Sequence, residues 1–92
     1  MNWICDPGHA WLKVSLKRLF KSGVADKISN YSYLRSGYAY LEEDQDAWVF
    51  LQAIGRDTRN GIKESHTNNQ SRVRNYFPYS LENAIKLKNY YY

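Results

Sequence analysis

Apolar positions along the chain change period several times, and each change marks an element. Trp11, Leu12, Val14 and Leu16 are separated by Lys13 and Ser15, an alternation that predicts a short strand after the turn signal Asp6-Pro7-Gly8. Leu16, Leu19 and Phe20 then fall at helical spacing, with Lys17, Arg18 and Lys21 off that face and Gly23 as the stop. Tyr31 and Tyr33 alternate with polar residues, so 28–34 reads as a strand. Ser36-Gly37 is a turn, and Tyr38 to Leu41 returns as the next strand. A two-residue loop there sets Tyr33 opposite Tyr40 and Leu34 opposite Ala39; a three-residue loop shifts the pairing.

Asp44 is a suitable N-cap and Asp46 lies in a first turn, where a carboxylate suits the helix dipole. Ala47, Trp48, Leu51 and Ile54 form the stripe of that helix, and Gly55 closes it. A polar connection over 56–60 leads to a fourth strand within 61–67 and a turn at 68–71. Ser80 caps a last helix whose apolar side is Leu81, Ala84, Ile85 and Leu87; the terminal Tyr90-Tyr91-Tyr92 is expected to fray. The expected order is β-α-β-β-α-β plus a C-terminal helix. That order describes one small α+β domain over residues 1–92, a three- to four-stranded antiparallel sheet with helices on one face. A strand meander with two packed helices is the alternative.

A chain of 92 residues buries only part of its unfolded surface, so its core depends on large side chains. Three Trp, nine Tyr and three Phe supply them, each worth on the order of 150–250 Å² when buried. Cys5 has no partner for an internal disulfide, which favours a reducing compartment and a buried, unreactive thiol. No apolar run approaches the roughly 20 residues of a membrane span, and residues 1–6 lack a signal peptide's basic start and apolar core. The expectation is a soluble, cytoplasmic protein with no membrane partner.

The net charge of +4 is a mild excess, and its distribution matters more. Glu42, Glu43, Asp44 and Asp46 cluster, while Arg72 and Arg74 alternate with Val73 and Asn75 before Tyr76. On an extended segment the two arginines would face one side, ready for bidentate contact with phosphate or carboxylate. The acidic run lacks the spacing and central glycine of a calcium loop; helix capping accounts for Asp44 and Asp46, and contact with a basic partner is the other reading.

His9 follows the turn that holds Asp6, and His66 lies among polar residues, so a His/Asp-dependent enzyme built on Asp6, His9 and His66 is one hypothesis. No HxxxH or HxH spacing and no nucleophile-elbow motif occurs; no metal, no cofactor and no catalytic set is expected.

Gly37-Tyr38-Ala39-Tyr40-Leu41 resembles the core of the longer RNP motif of RNA-recognition domains, whose strand aromatics stack on bases. Ser36 stands where that motif has a basic residue and Glu43 where it has a last aromatic. The resemblance implies a single-stranded nucleic-acid binder using Tyr38 and Tyr40.

Three blocks together carry a wider resemblance: Asp6-Pro7-Gly8-His9-x-Trp11-Leu12-x-Val14, Ile28-Ser29-x-Tyr31-Ser32-Tyr33 and Tyr40-Leu41-Glu42-Glu43-Asp44-x-Asp46, continuing into 71–76. In this order they look like a family of short uncharacterised proteins encoded by bacteriophages, prophages and plasmids. Ala10 and Gln45 depart from a glycine and a cysteine in that pattern. The resemblance implies a small non-enzymatic binding protein of a mobile element, one that contacts a host protein or protein–nucleic acid complex such as restriction or CRISPR machinery. Tyr38, Tyr40, Glu42, Glu43, Arg72, Arg74 and Tyr76 are the candidate partner-binding residues, since Tyr and Arg are enriched at binding hot spots.

Overall fold

A computed structural model describes residues 1–56 and 58–92. Its elements are β1 (Asn2–Cys5), β2 (Ala10–Ser15), α1 (Leu16–Lys21), β3 (Tyr33–Arg35), β4 (Tyr38–Glu42), α2 (Asp46–Ala53), β5 (Lys63–His66), β6 (Phe77–Pro78) and α3 (Leu81–Tyr91), with 3-10 turns at Ala25–Lys27 and Arg72–Asn75. The strands form one mixed sheet in the order β5-β1-β2-β4-β3-β6, antiparallel except for the parallel pair β1 and β5. The class is α+β. The sheet has six strands where three to four antiparallel ones were expected, and strands come in pairs between helices where β-α-β-β-α-β was expected.

Three local causes account for the difference. Residues 2–5 form a strand too short for a period to stand out, yet Trp3 and Cys5 point into the core and β1 pairs with β2 across the Asp6–His9 turn. Residues 28–32 are not a strand, because Ser29 and Ser32 spend their hydroxyls, and Ser29 its N–H, on Asp46. At the far edge, Phe77 and Pro78 add a two-residue strand against β3.

The Ser36-Gly37 loop has two residues, and the pairing Tyr33 with Tyr40 and Leu34 with Ala39 follows. Ser36, not Gly37, takes the positive φ (54°). Gly37 is needed for space instead: a Cβ there would lie 3.1 Å from Tyr92 Oη and 3.3 Å from Tyr91 Cβ. Tyr92 is docked, not frayed, since its hydroxyl donates to the Gly37 carbonyl at 3.0 Å, while Tyr90 stays 81 % exposed. Ser36→Gly is expected to raise stability by up to about 1 kcal/mol by removing the left-handed strain, read as a higher urea midpoint. A lower midpoint would show that the serine side chain holds the turn.

Helices lie on one face of the sheet, as expected. Trp3, Leu12, Val14, Leu34, Ala39 and Leu41 meet Leu16, Leu19, Ala47, Phe50, Leu51 and Ala84 there. Gly23 and Gly55, at positive φ, end α1 and α2, and Ser80 caps α3 by accepting from Asn83 N. Asp44 does not cap α2. The Glu42 carboxylate does, accepting from the backbone N–H of Asp44 (2.9 Å), Gln45 (2.7 Å) and Asp46 (3.2 Å).

On the opposite face the 3-10 turn Arg72–Asn75 lies over the sheet. Val73 packs there with Trp11 and Tyr40 in a second, smaller cluster, with Ile4, Tyr33 and Tyr76 around it.

Candidate functional site

The turn between β1 and β2 is organised by one carboxylate. Asp6 Oδ1 accepts from the N–H of Gly8 (3.0 Å) and His9 (2.8 Å), an Asx-type arrangement that suits Asp before Pro-Gly. Its other bonds are long-range. Arg74 grips it with Nε to Oδ2 at 2.8 Å and Nη2 to Oδ1 at 3.0 Å, and Ser71 N donates to Oδ2 at 2.9 Å. The Asp6 side chain has no solvent exposure. The Arg74 guanidinium, with the backbone donors behind it, holds this carboxyl well below the usual range, and Asp6 in turn pushes Arg74 up. Gly8 leaves room for this grip, since a Cβ there would sit 3.2 Å from Arg74 Nη2.

His9 continues the cluster. Its ring stacks on Trp11 (centroids 5.9 Å apart, planes 19° apart), and Nδ1 lies 3.0 Å from Arg74 Nη2. A guanidinium only donates, so Nδ1 is the acceptor and the ring proton sits on Nε2. Arg74 also lies 5.4 Å from the Trp11 ring centre, and Tyr33 meets Trp11 edge-on.

His9, Trp11, Tyr33 and Arg74 line a cleft of about 480 Å³ together with Tyr31, Glu42, Asp44 and Gln45. Tyr31 is 77 % exposed and stands on the 28–32 loop. That loop is held by Asp46, a fully buried carboxylate that accepts from Ser29 N (3.1 Å to each oxygen), Ser29 Oγ (2.6 Å) and Ser32 Oγ (2.6 Å). Ser29 Oγ accepts from Tyr31 N, Ser32 Oγ accepts from Glu42 N, and the Ser32 carbonyl accepts from Tyr79 N. Two carboxylates therefore position the lining: Asp6 holds the His9 turn and Arg74, and Asp46 holds the loop that carries Tyr31.

The residues singled out in the sequence are distributed unevenly around this cleft. Arg74, His9 and Glu42 line it, with Asp6 behind Arg74. Glu42 is engaged in capping α2, and Glu43 lies 3.4 Å from Arg59. Among the described residues the Asp44 carboxylate makes no hydrogen bond or ion pair, which leaves it as the available charge of the acidic run. Tyr40 is only 7 % exposed, packed edge-on to Tyr76 at 5.0 Å; burial pushes its phenol up to about 12. Tyr40 is thus not a face for a stacked base, and Tyr38 is half-exposed with Lys13 Nζ 4.3 Å over its ring.

Arg72 and Arg74 do not share a side. The segment is a 3-10 turn of about three residues per turn, not extended chain, so Arg74 turns to Asp6 while Arg72 stays exposed. Arg72 instead borders a separate shallow depression with Arg35, Asn75 and Tyr76.

Asp6, His9 and His66 do not converge. His9 lies with Trp11 on the face covered by the 3-10 turn, whereas β5 pairs His66 with Cys5, whose side chain belongs to the helix-side core. The Asp6 carboxylate is fully engaged and shielded, a poor acid or base. Burial pushes the Cys5 thiol up, Glu64 adding to the effect and Arg59 opposing it, so the thiol is the protonated, weakly nucleophilic form at neutral pH.

Sequence reasoning reached Asp44 only as part of the acidic run and overlooked Tyr31 as a site residue. Tyr31 had a signal, an aromatic between Asn30 and Ser32 in a polar stretch, but a strand reading conceals it.

Among the described residues no helix is long and apolar enough to cross a membrane. Comparison with family models, with curated proteins and with solved structures finds no match to this chain.

Proposed function

We propose that this chain is a small binding protein that acts by contact rather than turnover, and that the cleft between the Asp6–His9 turn and the Tyr31 loop receives a cationic side chain of a protein partner. The observation that carries this reading is the lining itself. Tyr31 and Tyr33 offer rings, Asp44 offers a carboxylate beside the capping Glu42, and the Arg74 guanidinium in the lining is already neutralised by Asp6. An arginine or lysine above such rings gains about 0.5–1 kcal/mol when exposed and about 2 when desolvated, and the acidic rim steers it in.

The partner class this reading names is a host protein or protein–nucleic acid complex. Taken with the resemblance of the Asp6-Pro7-Gly8-His9 and Tyr40–Asp46 blocks to mobile-element proteins, the role is occupation of a host defence component, of the restriction or CRISPR kind. A domain of this size suits that role, since a standard interface takes about 800 Å² from each partner.

The test is capture and affinity measurement from bacterial lysate with wild type, Tyr31→Ala and Asp44→Lys. Both positions are exposed, so the variants keep the fold. Each is expected to weaken partner binding at least about tenfold, which is about 1.4 kcal/mol. A partner held equally by all three proteins removes the cleft from the interface. Recovery of no stoichiometric protein partner, together with measurable turnover of a substrate, rejects a binding role altogether.

A further inference from the structure

A second constellation forms at the β5 edge of the sheet, on the helix side rather than the face that carries the cleft. The parallel register of β1 and β5 sets Cys5 beside His66, and Glu64 lies one strand period earlier on the same side. Thr67 N donates to the Cys5 carbonyl at 3.0 Å, which clamps the two strand ends together. The Cys5 sulfur, a Glu64 oxygen and a His66 ring nitrogen all lie within 4.8 Å of one another. We infer that Cys5, Glu64 and His66 form a site for a divalent metal ion of the zinc class, with water completing the coordination.

The donor set favours this class of ion. Thiolate with imidazole and carboxylate selects zinc and its neighbours over magnesium or calcium, which prefer oxygen alone. The spacing is close to what coordination needs. Two ligands about 2.0 Å from a tetrahedral ion are about 3.3 Å apart, and His66 Nε2 is 3.0 Å from Glu64 Oε1. Cys5 is buried and anchors the site from the core, while Glu64 and His66 are exposed and leave an approach for a hydrated ion.

The protein already draws a cation to this spot. Arg59 reaches over the Trp3 ring, with its guanidinium carbon 4.1 Å from the ring centre. It places Nη2 3.8 Å from Cys5 Sγ and 3.5 Å from Glu64 Oε2. Its Nε is buried without a hydrogen-bond partner, so the side chain is held there by the negative groups and the ring. A metal ion makes shorter, stronger bonds to the same sulfur and carboxylate and releases the guanidinium to Glu43, 3.4 Å from it in this structure. On binding, the Cys5 thiol gives its proton to solvent and becomes the thiolate ligand.

The sequence conceals the site because its ligands come from strands far apart in the chain, with no short-range Cys/His spacing.

The test uses the full chain with zinc and cobalt(II) chloride. Zinc is expected to bind one to one by calorimetry. The cobalt adduct is expected to show a sulfur-to-cobalt charge-transfer band and the intense visible bands of four-coordinate cobalt. Cys5→Ser should abolish the charge-transfer band. His66→Ala, at a position 68 % exposed in its side chain and therefore harmless to folding, should weaken zinc at least about tenfold. Arg59→Gln should bind zinc more tightly, because its competitor is gone; unchanged or weaker binding there overturns the placeholder role of Arg59. No saturable binding, or binding that Cys5→Ser and His66→Ala leave unaltered, overturns the site.

Discussion

Asp46→Ala is expected to remove roughly 3–5 kcal/mol of stability, the largest loss of any single polar substitution in this domain. The side chain is fully buried, and its loss strands the Ser29 N–H and the hydroxyls of Ser29 and Ser32, all of which point at the vacated position. Each buried donor left without a partner costs about 1–3 kcal/mol. The total stays below their sum because the carboxylate's own desolvation cost disappears with it. For a domain of this size about 4–8 °C of melting temperature is lost per kcal/mol, so the variant should melt roughly 12–40 °C lower. Asp46→Asn keeps one acceptor oxygen and should lose about half as much. The same network holds the loop under Tyr31, so partner binding through the cleft should weaken in Asp46→Asn even at temperatures where the variant is folded. A loss below about 1 kcal/mol in Asp46→Ala would mean that the serines find other partners and that the loop is not held in this way.

Asp6→Asn comes next, at roughly 2–4 kcal/mol. It breaks the fork to Arg74 and weakens the bonds from Gly8, His9 and Ser71, five in all in the wild type. The figure is set below that of a fully enclosed ion pair because Arg74 keeps contact with water, which screens the charge. The pH dependence distinguishes this mechanism from simple loss of packing. The folded state holds the Asp6 carboxyl below its ordinary value, chiefly through Arg74, so its contribution is present in full above the unfolded pKa of about 3.9. It fades as pH falls below that value toward the folded one. In urea denaturation the gap between wild type and Asp6→Asn should therefore be constant from neutral pH down to about 5 and shrink below about 4. A gap that persists unchanged in acid rules out the ion pair as its source.

Both carboxylates come from dense polar blocks of the sequence, Asp6–His9 and Tyr40–Asp46, and both build the cleft rather than face its opening. That division is physical. A carboxylate satisfied by several donors is rigid and shielded, which makes it a good positioner and a poor contact. The groups at the cleft with unspent capacity are the Tyr31 ring and the Asp44 carboxylate.

What the linear order of residues determined is whatever a few neighbouring residues can decide among themselves. The Ser36-Gly37 turn, the presence of α2, the glycine stops at 23 and 55 and the Ser80 cap all depend on backbone propensity or period within one turn or one loop, whereas the choice between two hairpin registers and the burial of Phe50 in place of Trp48 and Ile54 on α2 fell to the fold. The α+β class follows from their succession. Tertiary structure alone decided the pairing of β1 with β5, the edge strand β6, the conversion of 28–32 from strand to serine-pinned loop, and the folding of 72–75 onto the sheet. It also decided every grouping of chemical interest. Asp6 meets Arg74, Asp46 meets Ser29 and Ser32, and Cys5 meets Glu64 and His66 across distances in sequence over which hydrophobic period carries no information. Side-chain partners that far apart are selected by which strands lie side by side, and that choice is made by the burial energy of the whole core.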